Sequence, residues 1–234
     1  MEGFEYIDIF ATKGIEYLIT IAFLIVLIVF WRWLNQSKVT ATGAEAFHSN
    51  RVSLVDWFKL KESYYYHQGH SWLYQDKKGI IRIGIDDFAQ KLVGKPQKIN
   101  LPAIGTKLHQ GEVGMQVQIE GKNIEFLSPV DGEVIALNQG LIQQPDLINQ
   151  DPYEKGWFME VKSDTLRANL KNLLRGTVAK AWIEETVDKL SAGITGNYGT
   201  ILQDGGTITI GFVKELAPDN WDKVAREFFL TDES

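Results

Sequence analysis

The alternation of apolar residues between Gly114 and Val134 constrains the fold of this chain more than any other feature. These residues read GMQVQIEGKNIEFLSPVDGEV. Apolar side chains at every second position predict two β-strands with one buried face, and the Glu-Gly-Lys-Asn segment at 120–123 predicts the turn between them. The apolar positions are Met115, Val117, Ile119, Ile124, Phe126 and, past a second turn at 128–132, Val130. We therefore expect a half-buried hairpin with Lys122 near its tip.

Composition excludes several classes of site and partner. The chain has 234 residues, a formal net charge of -6 and no cysteine. Without cysteine there is no disulfide, thiolate metal site or cysteine nucleophile. The acidic balance argues against nucleic acid as a partner. The length allows one ordinary domain with additions, or two small domains.

A long apolar run near the start of the chain predicts a membrane anchor. Residues 15–33 read IEYLITIAFLIVLIVFWRW, with no charged residue between Glu16 and Arg32. About 17–25 apolar residues are needed to cross a bilayer, and tyrosine and tryptophan are typical of the interfaces. Acidic residues precede the run, which argues against a cleaved signal peptide. Because basic residues follow it, we expect a single-pass cytoplasmic-membrane protein with its N-terminus outside and its soluble domain in the cytoplasm.

The chain divides by pattern into four parts. Residues 1–34 hold the predicted transmembrane helix, and the polar, small-residue-rich residues that follow predict a linker at 35–63. Residues 64–162 carry the predicted strands. Residues 163–234 predict an α+β extension, with amphipathic helices on either side of a hairpin whose turn is expected at 204–206.

Motifs in a fixed order run from residue 66 to residue 174. They are His70-x-Trp72, GIIRIGIDDFAQKLVG at 79–94, LPAIG at 101–105, SPVDGEV at 128–134 and NQGLIQQPDLINQDPYEKGW at 138–157. This order resembles the glycine cleavage system H-protein family, which has an H-x-W strand, a G-I-T-D-[YF]-A-Q segment, an L-P-x-x-G turn and an A-P-V-S-G-E-V turn. The resemblance implies a mainly β fold with helices, a lipoyl-type flattened β-barrel (barrel-sandwich hybrid) with small helices at its margin. It also implies a carrier or scaffold, not an enzyme.

The resemblance leaves the cofactor open. In the family motif E-S-V-K-A-A-S-D-L-Y, the lysine carries lipoate. Counting back from Pro129 places Gly121 at the lysine's position, Lys122 one residue later, and Gln118 at the position of the family's glutamate. This register predicts no cofactor. A gap inside the turn would instead bring Lys122 into register as a covalent lipoate site, with Gly121 absorbing the extra residue.

No catalytic residue and no metal site is predicted. His67 and His70 have a spacing of three and, with Asp86 or Asp87, would make a conceivable cation site. Their segment has the pattern of a strand entry, however, and the two aspartates are typical of a helix start, where carboxylates stabilise free amides.

These observations lead to two main functional hypotheses. The first is a membrane-anchored, unlipoylated H-protein-like subunit that acts as a scaffold or accessory subunit on the cytoplasmic face of a membrane complex. A respiratory or electron-transfer complex is one candidate, and other subunits of that complex are the expected partners. The alternative is a genuine lipoyl carrier that uses Lys122 to shuttle an aminomethyl, acyl or redox load between enzymes. A transport adaptor of the membrane-fusion class would need a long helical hairpin, which the sequence pattern does not predict.

Overall fold

The protein is described by a computed structural model that covers residues 9–34, 57–193, 202–203 and 207–232. Its contacts divide the chain into two units, Met1–Asn50 and Arg51–Ser234. The predicted linker at 35–63 lies mostly outside the described residues. The predicted domain boundaries stay predictions.

The first unit contains helix α1 (Ile9–Leu34). Every described side chain between Tyr17 and Phe30 is exposed, and the large apolar ones are between 47% and 68% exposed. Among the residues that the structure describes, no helix is both long enough and apolar enough to cross a membrane. The transmembrane helix predicted at 15–33 therefore stays a prediction.

The second unit consists mainly of β-sheet with helices, as predicted. The strands are β1 (Tyr65–Tyr66), β2 (Ser71–Gln75), β3 (Ile81–Ile85), β4 (Lys98–Asn100), β5 (Lys107–Leu108), β6 (Val113–Ile119), β7 (Lys122–Leu127), β8 (Gly132–Leu137), β9 (Met159–Lys162), β10 (Leu202–Gln203) and β11 (Thr207–Ile208). The helices are α2 (Asp87–Val93), α3 (Gln139–Gln143), α4 (Leu147–Gln150), α5 (Leu166–Asn169) with a 3₁₀ turn (Leu170–Asn172), α6 (Gly176–Gly193), α7 (Val213–Leu216) and α8 (Trp221–Phe229).

The described strands form open sheets and not the closed, flattened barrel that we expected. The order is β1-β2-β3-β9-β8-β5 in one sheet and β4-β6-β7 in the other, with β10 and β11 as a separate pair. All pairings are antiparallel. The prediction of a barrel was wrong in this respect because, among the described strands, β7 pairs with β6 alone, and it contacts helix α8.

The predicted hairpin is confirmed, with a tighter turn than expected. Ile119 of β6 pairs with Lys122 of β7, so the turn contains only Glu120 and Gly121. Their φ angles are 51° and 79°. Positive φ at both positions is typical of a type I′ turn, whose twist matches that of the flanking strands. Lys122 is consequently the first residue of a strand and not a turn residue.

The buried face of the hairpin is also as predicted. Its members are all buried to 1% exposure or less: Met115, Val117, Ile119, Ile124, Phe126 and Val130. They belong to the main hydrophobic core of the second unit. Alternation along the two strands was therefore sufficient to identify this part of the core.

Two of the sequence motifs have structural roles in this core. Trp72 is fully buried, and its Nε1–H donates to the carbonyl oxygens of Ile85 at 2.8 Å and Pro152 at 3.2 Å. A Cβ atom at Gly84 would lie 2.7 Å from the Trp72 ring, so only glycine fits opposite this tryptophan. The predicted helix start is likewise confirmed, since Asp86 Oδ1 accepts from the Ala89 N–H at 2.8 Å at the beginning of α2.

The C-terminal residues pack into the same core as the strands. The shared members are Ile183, Val187, Leu190, Phe212, Val213, Trp221, Ala225 and Phe229. The predicted apolar stripe of α6 is correct at Val187 and Leu190 but wrong at Val178, which is 59% exposed. The predicted hairpin corresponds to β10 and β11, and its turn at 204–206 lies outside the described residues.

Helix α8 is expected to contribute strongly to stability through Phe229. This side chain is fully buried, and its ring centroid lies 4.5 Å from that of Phe126. Phe229→Ala should lower the free energy of unfolding by about 3–5 kcal/mol, because it removes apolar contacts and leaves a cavity. Urea denaturation of the purified protein measures this difference.

The adjacent Leu230 provides the matched control, since it is 53% exposed. Leu230→Ala should change the free energy of unfolding by no more than about 0.5 kcal/mol. Equal losses in the two variants would contradict the packing of α8 on the hairpin.

Candidate functional site

The candidate site is the tip of the β6–β7 hairpin, where the sequence pattern places Gly121 and Lys122. Gly121 is exposed, and a Cβ atom built on it would meet no other atom within 4 Å. Its N–H donates to Oε1 of Gln97 at 3.2 Å. The position that counting from Pro129 assigns to the family's lysine is therefore open to solvent, but it holds a glycine.

Lys122 points in a different direction from the turn. Side chains two apart on a strand share a face, so Lys122 lies on the same face as the buried Ile124 and Phe126. Helix α8 packs against this face through Phe229. The lysine side chain is therefore directed towards α8.

The Lys122 amine forms an ion pair with the first turn of α8. Its Nζ atom lies 2.5 Å from Oδ1 of Asp222 and 5.2 Å from the ring centroid of Trp221. The side chain of Lys122 is 41% exposed and that of Asp222 is 20% exposed. The hydrogen bond from Lys122 lowers the pKa of the Asp222 carboxyl group, against a smaller opposing effect of desolvation.

Two further residues connect the C-terminal segment to the same hairpin. Lys214 Nζ lies 2.6 Å from Oε1 of Glu120 and 5.3 Å from the Trp221 ring centroid. Arg226 Nη2 donates to the carbonyl oxygen of Asn123 at 3.4 Å. We call the group Lys214, Trp221, Asp222 and Arg226 the tip cap.

The tip cap limits the chemistry available to Lys122. Acylation of a lysine requires a neutral amine that is free to attack an activated carbonyl group. Here the amine is paired with the carboxylate of Asp222 and lies near the ring of Trp221, so two contacts restrict its position. The geometry favours a fixed surface over a mobile carrier lysine.

The turn after the hairpin is held by a polar network that the sequence pattern did not reveal. Asn169 is buried, and its Nδ2–H donates to Oδ2 of Asp131 at 2.6 Å. The Gln110 N–H donates to the other carboxylate oxygen at 2.8 Å. These hydrogen bonds, that of Asn169 first, lower the pKa of Asp131. The network fixes the Ser-Pro-Val-Asp-Gly turn against α5.

The two histidines considered for a cation site have separate structural roles. His67 Nδ1 accepts from the Gly69 N–H at 3.0 Å, while His70 Nδ1 lies 2.8 Å from Oδ2 of Asp86. Within the described ranges, no group of three or more metal-ligating side chains is placed to hold an ion.

Sequence reasoning placed Lys122 at the tip but missed its partners. The apolar stripe of α8 predicted that Trp221 and Ala225 would be buried, and both are. Nothing in the local pattern indicated that Asp222 would meet a lysine 100 positions earlier. A charged residue directly after a buried tryptophan, in the first turn of an amphipathic helix, was the only available signal.

Comparison with known proteins agrees with the motif order. The sequence model of the family "Glycine cleavage H-protein" matches residues 64–186. The chain is 37% identical over 127 residues to a probable glycine cleavage system H protein from Pyrococcus furiosus, covering 54% of this chain and 92% of that protein. It is 35% identical over 108 residues to the glycine cleavage system H protein of Saccharophagus degradans, covering 46% and 83%.

A solved structure was also found. The crystal structure of a glycine cleavage system H protein from Mycobacterium marinum aligns with a TM-score of 0.48 and 21% identity, over 55% of this chain and 99% of that one. The family match covers more than half of the sequence, and the chain spans most of the length of its curated relatives. The chain belongs to the glycine cleavage H-protein family.

Proposed function

We propose that this chain is an unlipoylated H-protein-like subunit that acts as a scaffold in a membrane complex, on the cytoplasmic face. The observation that carries the proposal is the ion pair between Lys122 and Asp222, which ties the hairpin's lysine to helix α8. The glycine at position 121 supports it, because the family motif places the modified lysine there. Such a subunit binds proteins and catalyses no reaction of its own.

Apolar burial holds helix α8, which carries three residues of the tip cap, in place. Trp221, Ala225 and Phe229 are all buried, and a large apolar side chain contributes about 1.5–3 kcal/mol when fully buried. The partly exposed ion pair contributes about 0–1 kcal/mol. The burial of α8 therefore keeps the Asp222 carboxylate and the Trp221 ring beside the lysine, and modification of Lys122 would have to break these contacts of its amine.

A genuine lipoyl carrier remains the alternative function. It is favoured by family membership and by the exposure of part of the Lys122 side chain beside the turn. In that case Lys122 would carry covalent lipoate and pass an aminomethyl, acyl or redox load between enzymes. The amine would have to leave Asp222 for the lipoate to be attached.

The proposal includes attachment to a membrane through residues 15–33. Its support is the uncharged sequence of this run and the exposure of the described side chains between Tyr17 and Phe30 in α1. Basic residues after the run favour an N-terminus outside and a cytoplasmic second unit. The proposed partners are other subunits of the complex, for which a respiratory or electron-transfer assembly is one candidate. The net charge of -6 makes nucleic acid an unsuitable partner.

The ion pair predicts a pH-dependent contribution to stability. Because the pKa of Asp222 is lowered in the folded chain, the contribution is present above the carboxyl group's unfolded pKa and is lost as the pH falls through the folded value. We expect Asp222→Asn to be about 0.5–1 kcal/mol less stable than the wild type at pH 7. The difference should shrink below about pH 4. Urea denaturation at a series of pH values tests this.

The matched control is Asp219→Asn, at an exposed residue just before the same helix. It should have a smaller effect at pH 7 than Asp222→Asn. A difference for Asp222→Asn that is equally large at pH 7 and at pH 3 would contradict the assigned role of the carboxylate.

Intact-mass measurement distinguishes the two functions. The full chain is produced with lipoate and a lipoate ligase, together with a lipoylated H-protein as positive control. We expect no lipoyl increment on the wild type and none on Lys122→Arg, but an increment on Gly121→Lys, because position 121 is exposed and a Cβ atom there meets no other atom within 4 Å. The positive φ at this position makes the variant less stable by about 1–2 kcal/mol.

Peptide mapping locates any modification. A lipoyl group on Lys122 of the wild type, absent from Lys122→Arg, would overturn the scaffold proposal and establish the carrier.

Membrane attachment is tested by fractionation. The full chain should sediment with membranes, resist a high-salt wash and be extracted by mild detergent together with other subunits. Replacing Leu24 and Leu27 by Asp should release it, since a charged side chain in the bilayer centre costs about 2.5–3.5 kcal/mol. The control is Ile104→Asp, which changes an exposed apolar residue of the second unit.

Recovery of the unaltered chain in the soluble fraction would refute the anchor. Purification from detergent as a monomer without other subunits would argue against the scaffold.

A further inference from the structure

The second unit contains a cavity that is separate from the hairpin tip. Its volume is about 790 Å³, and helices α6, α7 and α8 surround it together with the residues just before β2. Apolar side chains form most of its wall, including Trp182, Leu190 and Phe228. Cavities of roughly 300–1,000 Å³ with mostly apolar walls and a few fixed polar groups are typical of small-molecule sites.

His70 is the most deeply buried polar side chain that lines this cavity. It is 1% exposed, and its Nδ1 atom lies 2.8 Å from Oδ2 of Asp86. The faces of the ring are covered by Phe88, with centroids 4.4 Å apart, and by Trp182 at 4.6 Å. Asp86 occupies the Nδ1 edge of the ring, and His70 lines the cavity, so we infer that the Nε2 edge is the one that a ligand can reach.

The fixed orientation decides what His70 offers to a ligand. Asp86 accepts at Oδ1 from the Ala89 N–H, so its carboxylate acts as an acceptor. The His70 Nδ1 therefore donates to Asp86, and the tautomer with its single hydrogen on Nδ1 has a lone pair on Nε2. No hydrogen-bond partner of Nε2 occurs in the described part of the chain.

A second buried group offers the same chemistry. Thr186 is 5% exposed and lines the cavity. Its hydroxyl donates to the carbonyl oxygen of Trp182 at 2.9 Å, so the oxygen is left with its lone pairs. Both buried polar groups of the wall are acceptors, and a bound molecule must supply a donor.

The charged groups at the rim do not favour an ionic ligand. Glu185 and Lys189 form an ion pair at 3.0 Å, with both side chains about two-thirds exposed. Glu227 is also exposed. Charges in water interact weakly, while an ammonium ion loses its hydration when it enters an apolar cavity. A carboxylate would meet two acceptors. A neutral hydroxyl group satisfies His70 without either cost.

The aromatic rings in the cavity wall favour an aromatic ligand. Trp182 and Phe228 are partly buried and present ring surface beside His70. Aromatic rings pack favourably against such surfaces in offset or edge-to-face geometry. We propose that this cavity binds a neutral hydroxyl-bearing aromatic molecule of the phenol class, with its O–H donating to Nε2 of His70. The proposal goes beyond the scaffold function and does not depend on it.

The experiment compares molecules of similar shape that differ in the donor. The full chain is titrated with 4-ethylphenol, its methyl ether 4-ethylanisole, benzylamine and benzoate, using calorimetry and amide chemical shifts. We expect 4-ethylphenol to bind one molecule per chain and to shift the amide signals around His70 and Thr186. The methyl ether should bind at least about tenfold more weakly, which corresponds to about 1.4 kcal/mol.

A matched pair of variants tests the site itself without altering His70. Thr186→Phe places a larger side chain in the cavity wall and should weaken the binding of 4-ethylphenol about tenfold or more, because it fills space that the ligand needs. Thr177→Phe makes the same change at an exposed position of α6 outside the cavity and should bind like the wild type.

Four results would overturn the proposal. They are equal binding of the phenol and its ether, tighter binding of benzylamine or benzoate, no binding of 4-ethylphenol at millimolar concentration, and equal affinity of the two threonine variants for 4-ethylphenol.

Discussion

The two-residue turn at Glu120 and Gly121 fixes the register of the hairpin, and the arrangement around it depends on that register. Because side chains alternate along a strand, a slip of one residue would exchange the two faces of β7. In the observed register Ile124 and Phe126 face the core. Lys122 lies two residues before Ile124 and so shares its face of β7, which directs the lysine towards α8 and its ion pair with Asp222. One pair of positive φ angles thus determines both the packing of the core and the environment of the lysine.

A lipoyl carrier and the observed structure require different things of the β6–β7 hairpin. A carrier lysine must stand free so that its attached arm can reach several enzymes. Here a residue of the turn itself is exposed and has no side chain, while the neighbouring lysine is bound by the tip cap. The cap belongs to a segment that lies beyond residue 186, where the family match ends. The part of the chain outside the matched region therefore shapes the surface of the part inside it.

Local patterns in the sequence predicted the strands and helices, but they did not predict contacts between residues that are far apart in the sequence. The hairpin, the helix start at Asp86 and the burial of Trp221 all follow from periodicity or capping within a few residues. Closure of the strands into a barrel depends on which edges pair, and the periodicity of a single strand carries no information about that. The buried network of Asp131 and Asn169 could not be predicted for the same reason, since the two residues are 38 positions apart. Position 121 was identified by counting from a turn motif, but the environment of Lys122 required the packing of a whole helix.

The packing of Phe229 on Phe126 has a consequence for how the chain acquires its structure. The hairpin is synthesised about a hundred residues before the helix that completes its apolar face. Until α8 has been made, the Phe126 ring lacks one of its main partners, and the nascent chain has an incomplete core next to a strand edge that no other described strand pairs with. Contacts between segments so far apart in sequence carry a high entropy of loop closure and slow the approach to the native state. During that interval the edge of β7, which pairs with no further strand among the described residues, is open to pairing with another chain, and the later packing of α8 against β7 completes the apolar face.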